Sequence, residues 1–219
     1  MLKTQTQFRD RLDAGRQLAA RLSDRRAEQP IVLALPRGGV VVGYEIARAL
    51  EAPLDIIAVR KIGAPFQEEF GVGALVDGDD PEILLDEQTL RALGLTRADL
   101  HDQIERELLE IRRRERLYRG DEPRVDVRDR TVIVVDDGIA TGSSVRAALR
   151  ALRRAQPRRL VLATPVAPPR TLESLREDCD EVVCLICPQW FRAVGEFYES
   201  FEQTSDEEVT ELLRQGRAA

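Results

Sequence analysis

The feature that most constrains the fold of this chain is a recurrence of short, largely apolar runs with helix-patterned stretches between them. Ile31–Leu35, Leu54–Val59, Thr131–Val135, Leu160–Ala163 and Val182–Ile186 are each four to six residues long and rich in β-branched side chains. Short runs of this kind fit strands buried on both faces. Val40–Leu50 reads as a helix between the first two runs, and Val145, Ala148, Leu149 and Leu152 mark a helix after the third. A helix starting near Pro169 separates the last two. Strand–helix–strand order implies parallel pairing through right-handed crossovers. The expected class is α/β, with a central, mostly parallel sheet flanked by helices.

Other elements follow from periodicity and punctuation. Phe8, Leu12, Leu18, Ala19 and Leu22 give an N-terminal amphipathic helix, which Gly15 on the same stripe weakens. Pro36-Arg37-Gly38-Gly39 reads as a turn. Gly63–Asp80 is rich in Gly and Asp and is expected to hold one strand, Gly73–Val76. Thr96 with Asp99 three residues on forms a capping box before a long helix. Leu100, Ile104, Leu108, Ile111 and Tyr118 make its one narrow apolar stripe, as for a helix lying on the domain or on a partner subunit. Its remaining surface, including Arg112-Arg113-Arg114, reads as a solvated face. At 219 residues the chain is expected to be one domain. Its core should cover about 25–187, with an inserted loop and long helix at about 63–122 and a small hood or tail at about 188–219.

Composition excludes several functions. The 33 Lys and Arg against 39 Asp and Glu leave a net charge of −6, so no nucleic-acid partner is expected. No apolar run approaches the roughly 18 residues that span a bilayer, so no membrane partner is expected. Met1–Ala20 carries no apolar stretch of the secretion type, and a cytoplasmic location is expected. Cys179, Cys184 and Cys187 are an odd set, unsuited to a disulfide framework. The Cys184-x-x-Cys187 pair lies in an apolar run and reads as reduced core thiols, since a zinc site needs a second ligand pair. The single histidine, His101, sits in a charged helix and is read as solvated. Only two lysines occur, Lys3 and Lys61, which draws attention to Lys61.

The chemistry concentrates in Val132–Ser144. A buried apolar strand ends in two adjacent carboxylates, Asp136 and Asp137, at the edge where open α/β sheets bind ligands. A small-residue loop, Gly138-Ile139-Ala140-Thr141-Gly142-Ser143-Ser144, then enters a helix. Such a loop turns backbone N–H groups toward an anion, aided by the helix dipole. The carboxylates repel phosphate, so they should face sugar hydroxyls or a metal ion. The combination points to a ribose 5-phosphate site. It is no Walker A loop, because the G-x-x-x-x-G-K-[ST] pattern is missing, and Gly71-Val72-Gly73 lacks the third glycine of a dinucleotide fingerprint.

This 13-residue segment resembles the PRPP-binding signature of type I phosphoribosyltransferases. Two further segments match in order. Leu35-Pro36-Arg37-Gly38-Gly39 stands where these enzymes hold pyrophosphate, and Val59-Arg60-Lys61-Ile62-Gly63 where their mobile catalytic loop begins. The resemblance covers roughly Ile31–Ile186. The whole chain also resembles a bacterial phosphoribosyltransferase-domain family of uncertain acceptor, through Leu-Pro-Arg-Gly-Gly-Val, Arg-Lys-Ile-Gly-Ala-Pro and Ala193-Val194-Gly195-Glu196-Phe197-Tyr198.

The resemblance implies a type I fold with a small hood, Mg²⁺ as cofactor, a homodimer, and transfer of the 5-phosphoribosyl group from PRPP to a nitrogen acceptor with release of pyrophosphate. It implies catalytic roles for Asp136, Asp137, Lys61 and Arg37, with the two acids holding metal directly or through water. Ala140, Thr141, Gly142, Ser143 and Ser144 would take the 5-phosphate, and Arg37, Gly38, Gly39 and Lys61 the pyrophosphate. Trp190, Phe191 and Tyr198 are candidates to bind the acceptor, with Phe197 beside them and Glu196 as an acceptor-side acid. Ala140 stands where 6-oxopurine enzymes often carry an acid, which counts against a hypoxanthine- or guanine-type acceptor. Two other readings compete: a catalytically silent PRPP- or nucleotide-binding regulatory module, and a hydrolase of sugar phosphates.

Overall fold

A computed structural model describes residues 7–78 and 81–217; the chain ends and Asp79–Asp80 lie outside the described residues. In chain order the elements are α1 (Arg11–Arg21), β1 (Ile31–Ala34), α2 (Gly38–Leu50), β2 (Leu54–Ile56), β3 (Val59–Ala64), β4 (Gln67–Val76), β5 (Glu82–Leu85), α3 (Glu87–Leu93), α4 (His101–Arg119), β6 (Thr131–Val135), α5 (Ser143–Arg154), β7 (Arg159–Val166), α6 (Pro169–Leu175), β8 (Glu181–Ile186) and α7 (Asp206–Arg217). The five apolar runs pair into one parallel sheet in the order β2-β1-β6-β7-β8.

Alternate residues of each strand serve opposite layers. Val32, Ala34, Ile133 and Val135 pack beneath α1, α2 and α7, whereas Ile31, Leu33, Val132 and Val134 pack beneath α5 and α6. From β1 the chain crosses through α2 to β2 on one side, and from β6 through α5 to β7 on the other. The connections therefore diverge between β1 and β6. The crevice at the carboxyl ends of these two strands is the switch point where such sheets bind ligands.

The structure corrects the reading of Gly63–Asp80 as mainly loop. The Leu54–Val59 run is split: β2 ends at Ile56, and Val59 opens β3, which pairs antiparallel with β4 as β4 does with β5. This second sheet and α3 and α4 enclose their own small core of Ile62, Ala64, Val72, Leu90, Leu100 and Ile104. Of the glycines in this stretch, Gly73 serves close packing, since a Cβ there would lie 2.7 Å from the Leu84 carbonyl oxygen.

The Thr96–Asp99 capping box forms, and caps a 3₁₀ turn, Arg97–Leu100, that runs directly into α4. Leu100, Ile104, Ile111 and Tyr118 of the expected stripe are buried. Gly15 permits a close crossing, because a Cβ there would meet Glu45 Cβ at 2.8 Å and the Val42 carbonyl at 2.9 Å. The main core extends beyond residues 25–187. Leu18 and Leu22 join it from the N-terminal side, and Val209 and Leu213 of α7 join it from the tail, against α2, α4 and β2. Of the thiols, Cys179 is buried, Cys184 is half-buried, and Cys187, just past the end of edge strand β8, is exposed rather than in the core. No helix among the described residues is long and apolar enough to cross a membrane.

Candidate functional site

Asp136 and Asp137 leave the end of β6 at the switch point, beside the chain that leaves β1. The Asp136 carboxylate accepts the Asp137 backbone N–H at 2.9 Å. Burial, reinforced by the charge of Asp137, pushes the Asp136 carboxyl well above the usual carboxylate range. Asp137 is held on three sides. Its Oδ2 accepts from Arg11 Nε at 2.6 Å, and its carbonyl accepts from the Tyr198 hydroxyl at 2.5 Å. Backbone forms the third side: a Cβ on Gly38 would lie 1.9 Å from Asp137 Oδ2, and one on Gly39 would lie 2.9 Å from the Val135 carbonyl. Only glycine fits against the acids here.

Gly38 and Gly39 belong to the first turn of α2 rather than to a separate turn. The α2 start has no side-chain cap, and neither does the α5 start at Gly142. Among the described residues, no protein acceptor meets the backbone N–H of Gly38, Gly39, Ala140, Thr141, Gly142, Ser143 or Ser144. Two helix starts, each carrying orphan donors and a positive dipole end, thus open on one crevice with a carboxylate pair between them.

The loop into α5 is built to hold that shape. Ile139 N–H donates to the Val166 carbonyl at 2.9 Å, and the Thr171 hydroxyl donates to the Ala140 carbonyl at 2.8 Å. Gly142 has φ +78°, and a Cβ there would sit 2.9 Å from Thr171 Cγ2. The Thr141 and Ser143 hydroxyls are 3.1 Å apart and exposed. A cavity of about 770 Å³ joins this loop to the second sheet, and Lys61, Thr141, Ser143 and Arg146 line it. Lys61 lies on the exposed face of β3.

The structure thus brings Asp136, Asp137, Gly38 and Gly39 together, and Lys61 together with Thr141 and Ser143. The Arg37 side chain turns toward α7, with Nη1 3.8 Å from Asp206, which also accepts the Tyr118 hydroxyl at 2.5 Å. Of the aromatic candidates, Trp190 is 91% exposed and Phe191 stacks on Phe197 with centroids 5.5 Å apart. Tyr198 is buried against Phe8 and Phe201 and offers no open ring face to a base; it supports the Asp137 loop instead. Burial, then the charge of Asp137, pushes its phenol above the ordinary tyrosine range. Val194 belongs to the same supporting segment, since a Cβ on Gly138 would lie 2.3 Å from Val194 Cγ1.

Sequence reasoning missed Arg11 and Phe201. Arg11 reaches Asp137 across 126 positions of sequence, and Phe201 lies under its guanidinium. In a chain with 33 basic residues, nearly all arginine, no local signal distinguishes this one.

Comparison with known proteins bears on these features. The family model described as "Phosphoribosyl transferase domain" matches residues 4–202. Two Mycobacterium tuberculosis proteins, from strains CDC 1551 and H37Rv and named "Putative phosphoribosyl transferase", are each 44% identical over 207 residues, which is 94% of this chain and 46% of theirs. The chain spans about half the length of these curated relatives. The crystal structure of TT1426 from Thermus thermophilus superposes with a TM-score of 0.83 at 42% identity, covering 95% of this chain and 98% of that one.

Proposed function

Because this chain belongs to the phosphoribosyl transferase domain family, we propose that it binds PRPP and transfers the 5-phosphoribosyl group to a nitrogen acceptor, releasing pyrophosphate. The observation that carries this reading is the pair of uncapped helix starts, α2 and α5, flanking Asp136 and Asp137. PRPP has the matching order of charges: a phosphate, a polyol and a diphosphate. Ala140–Ser144 take the 5-phosphate on their free N–H groups and hydroxyls. Asp136 and Asp137 accept from the ribose 2- and 3-hydroxyls. Gly38 and Gly39 offer backbone N–H groups to the diphosphate, with Arg37 and Lys61 as cations that reorient toward it.

Magnesium fits the residues present. Two adjacent carboxylates are the hard oxygen donors that a Mg²⁺ ion with retained waters and substrate oxygens takes. No larger His, Cys, Asp or Glu cluster exists among the described residues, as a dedicated protein cage would require. Asp136 and Asp137 would hold the ion directly or through water, and when bound it supplies charge neutralisation to the leaving diphosphate.

The protein's own part is positional and electrostatic. Departure of pyrophosphate leaves an oxocarbenium-like sugar and a growing anion. The α2 start places fixed N–H dipoles where that anion grows, at no cost of reorganisation. The carboxylates fix the sugar by its hydroxyls while the nitrogen approaches. Trp190 offers an open ring for stacking a planar acceptor, beside Phe191.

A homodimer and a cytoplasmic location complete the proposal; light scattering of the purified chain tests the first. The test of function is pyrophosphate release from Mg-PRPP over a panel of purines, pyrimidines and simple amines. Release that depends on one acceptor class supports transfer. PRPP binding with no release across the panel would assign the chain to a regulatory, non-catalytic role. Release without any acceptor would make it a hydrolase.

A further inference from the structure

Arg11 lies outside every motif of the sequence, yet its guanidinium donates a short hydrogen bond to a carboxylate of the acid pair. Three contacts fix its guanidinium. Nε donates to Asp137 Oδ2 at 2.6 Å, Nη1 donates to the Glu202 carbonyl at 2.6 Å, and Cζ lies 3.8 Å over the centroid of the Phe201 ring. The last two do not involve Asp137, so the arginine is seated by the C-terminal segment and presented to the acid. Its side chain is only 11% exposed.

Asp137 is occupied asymmetrically. Oδ2 meets Arg11 and is walled by the Gly38 backbone, whereas no arginine or backbone N–H meets Oδ1 among the described residues, and the Asp136 carboxyl is the neighbouring side chain of the carboxylate. A carboxylate rotates broadly about its last torsion, so a contact on one oxygen decides where the other points. Resting on the PRPP reading above, we propose that Arg11 is a positioning residue of the sugar site, pinning Oδ2 so that Oδ1 is the acceptor presented to a ribose hydroxyl. Lysine would not substitute fully, because only a planar fork donates to Asp137 and to Glu202 at once while lying flat on a ring.

This role separates sugar recognition from phosphate recognition. No hydrogen bond or ion pair joins Arg11 to Ala140–Ser144 among the described residues, so its loss should leave phosphate binding intact and remove the benefit of the attached ribose. The experiment is calorimetric titration with ribose 5-phosphate and with inorganic phosphate, on the native chain, Arg11→Met, Arg11→Lys and Asp137→Asn. The native chain should prefer ribose 5-phosphate. Arg11→Met should lose roughly tenfold of that preference, the effect of one charge-assisted hydrogen bond, with phosphate affinity unchanged. Arg11→Lys should recover part of it, and Asp137→Asn should lose as much as Arg11→Met.

A preference retained in Arg11→Met overturns the inference while leaving the PRPP reading intact. Equal loss of affinity for both ligands also overturns it, since that marks a merely structural contact. Where Arg11→Met does not fold, Arg11→Lys decides: native preference in that variant refutes the inference, and reduced preference with native phosphate affinity supports it. A native chain that binds neither ligand nor Mg-PRPP overturns the PRPP reading itself.

Discussion

Gly38→Ala tests the packing of the site in a single methyl group. The added Cβ would fall 1.9 Å from Asp137 Oδ2, 2.6 Å from Asp137 Cγ and 2.7 Å from Arg11 Nε, all inside the closest approach that carbon tolerates. Neither neighbour can step aside cheaply. Asp137 is tied to Arg11 and, through its carbonyl, to Tyr198, while Arg11 is tied to Glu202 and Phe201. The methyl must therefore break the Arg11–Asp137 pair, whose side chains are only 11% and 16% exposed. Breaking a buried pair costs about 3–5 kcal/mol, and the partial exposure here argues for the low end, about 3 kcal/mol. At roughly 2–4 °C per kcal/mol for a chain of this size, the melting temperature should fall by about 6–12 °C. Gly71→Ala is the control, because its Cβ would meet nothing within 4 Å; it should melt within about 2 °C of the native chain. Thermal melts followed by circular dichroism, paired with PRPP titration, read both effects. Native stability and native PRPP affinity in Gly38→Ala would refute the reasoning.

Three further outcomes follow from the geometry. Asp77 is buried beside Arg124 (3.3 Å) and Arg119 (3.8 Å), with no hydrogen bond to either carboxylate oxygen among the described residues, and burial pushes its carboxyl up from 3.8 to about 6. Its contribution is fully present below about pH 4 and is lost as the pH rises through about 6, because the folded chain holds a proton that the unfolded chain releases. Asp77→Asn should therefore gain up to about 3 kcal/mol on the native chain between pH 4 and 7 in urea melts, and a pH-independent difference would contradict this. Tyr198→Phe keeps the packing on Phe8 and Phe201 but strands the Asp137 carbonyl; it should cost about 1–2 kcal/mol by the same melts and weaken ribose 5-phosphate binding. Gly142→Ala, at φ +78° and 2.9 Å from Thr171 Cγ2, should lose about 1–2 kcal/mol and reduce inorganic phosphate affinity measured by calorimetry.

What the sequence made legible was whatever is written in local pattern. The five parallel strands were readable as short, largely apolar runs because helices cover both faces of their sheet. The Thr96–Asp99 box and the α4 stripe were readable from spacing alone. Asp136 and Asp137 were readable because a strand end, two acids and a small-residue loop are contiguous. The features missed depend on contacts between distant segments. The second sheet was hidden because Gly71 and Gly73 interrupt β4 and because its core is shared with α3 and α4. Gly38 and Gly39 looked like a turn because nothing in the sequence says that an Asp137 carboxylate will press against them. Arg11, Tyr198 and Phe201 come from opposite ends of the chain and meet only when α1 and the C-terminal segment pack together. α7 looked like a tail because its two buried hydrophobic side chains, Val209 and Leu213, sit among acids and arginines.

The central claim is that two open helix starts and the acids between them grip a phosphorylated, pyrophosphorylated ribose. Isothermal titration of the native chain with PRPP and Mg²⁺ at millimolar concentration tests it most directly. The account predicts saturable binding that Asp137→Asn weakens about ten- to a hundredfold. No heat, and no protection against thermal unfolding at those concentrations, would contradict it.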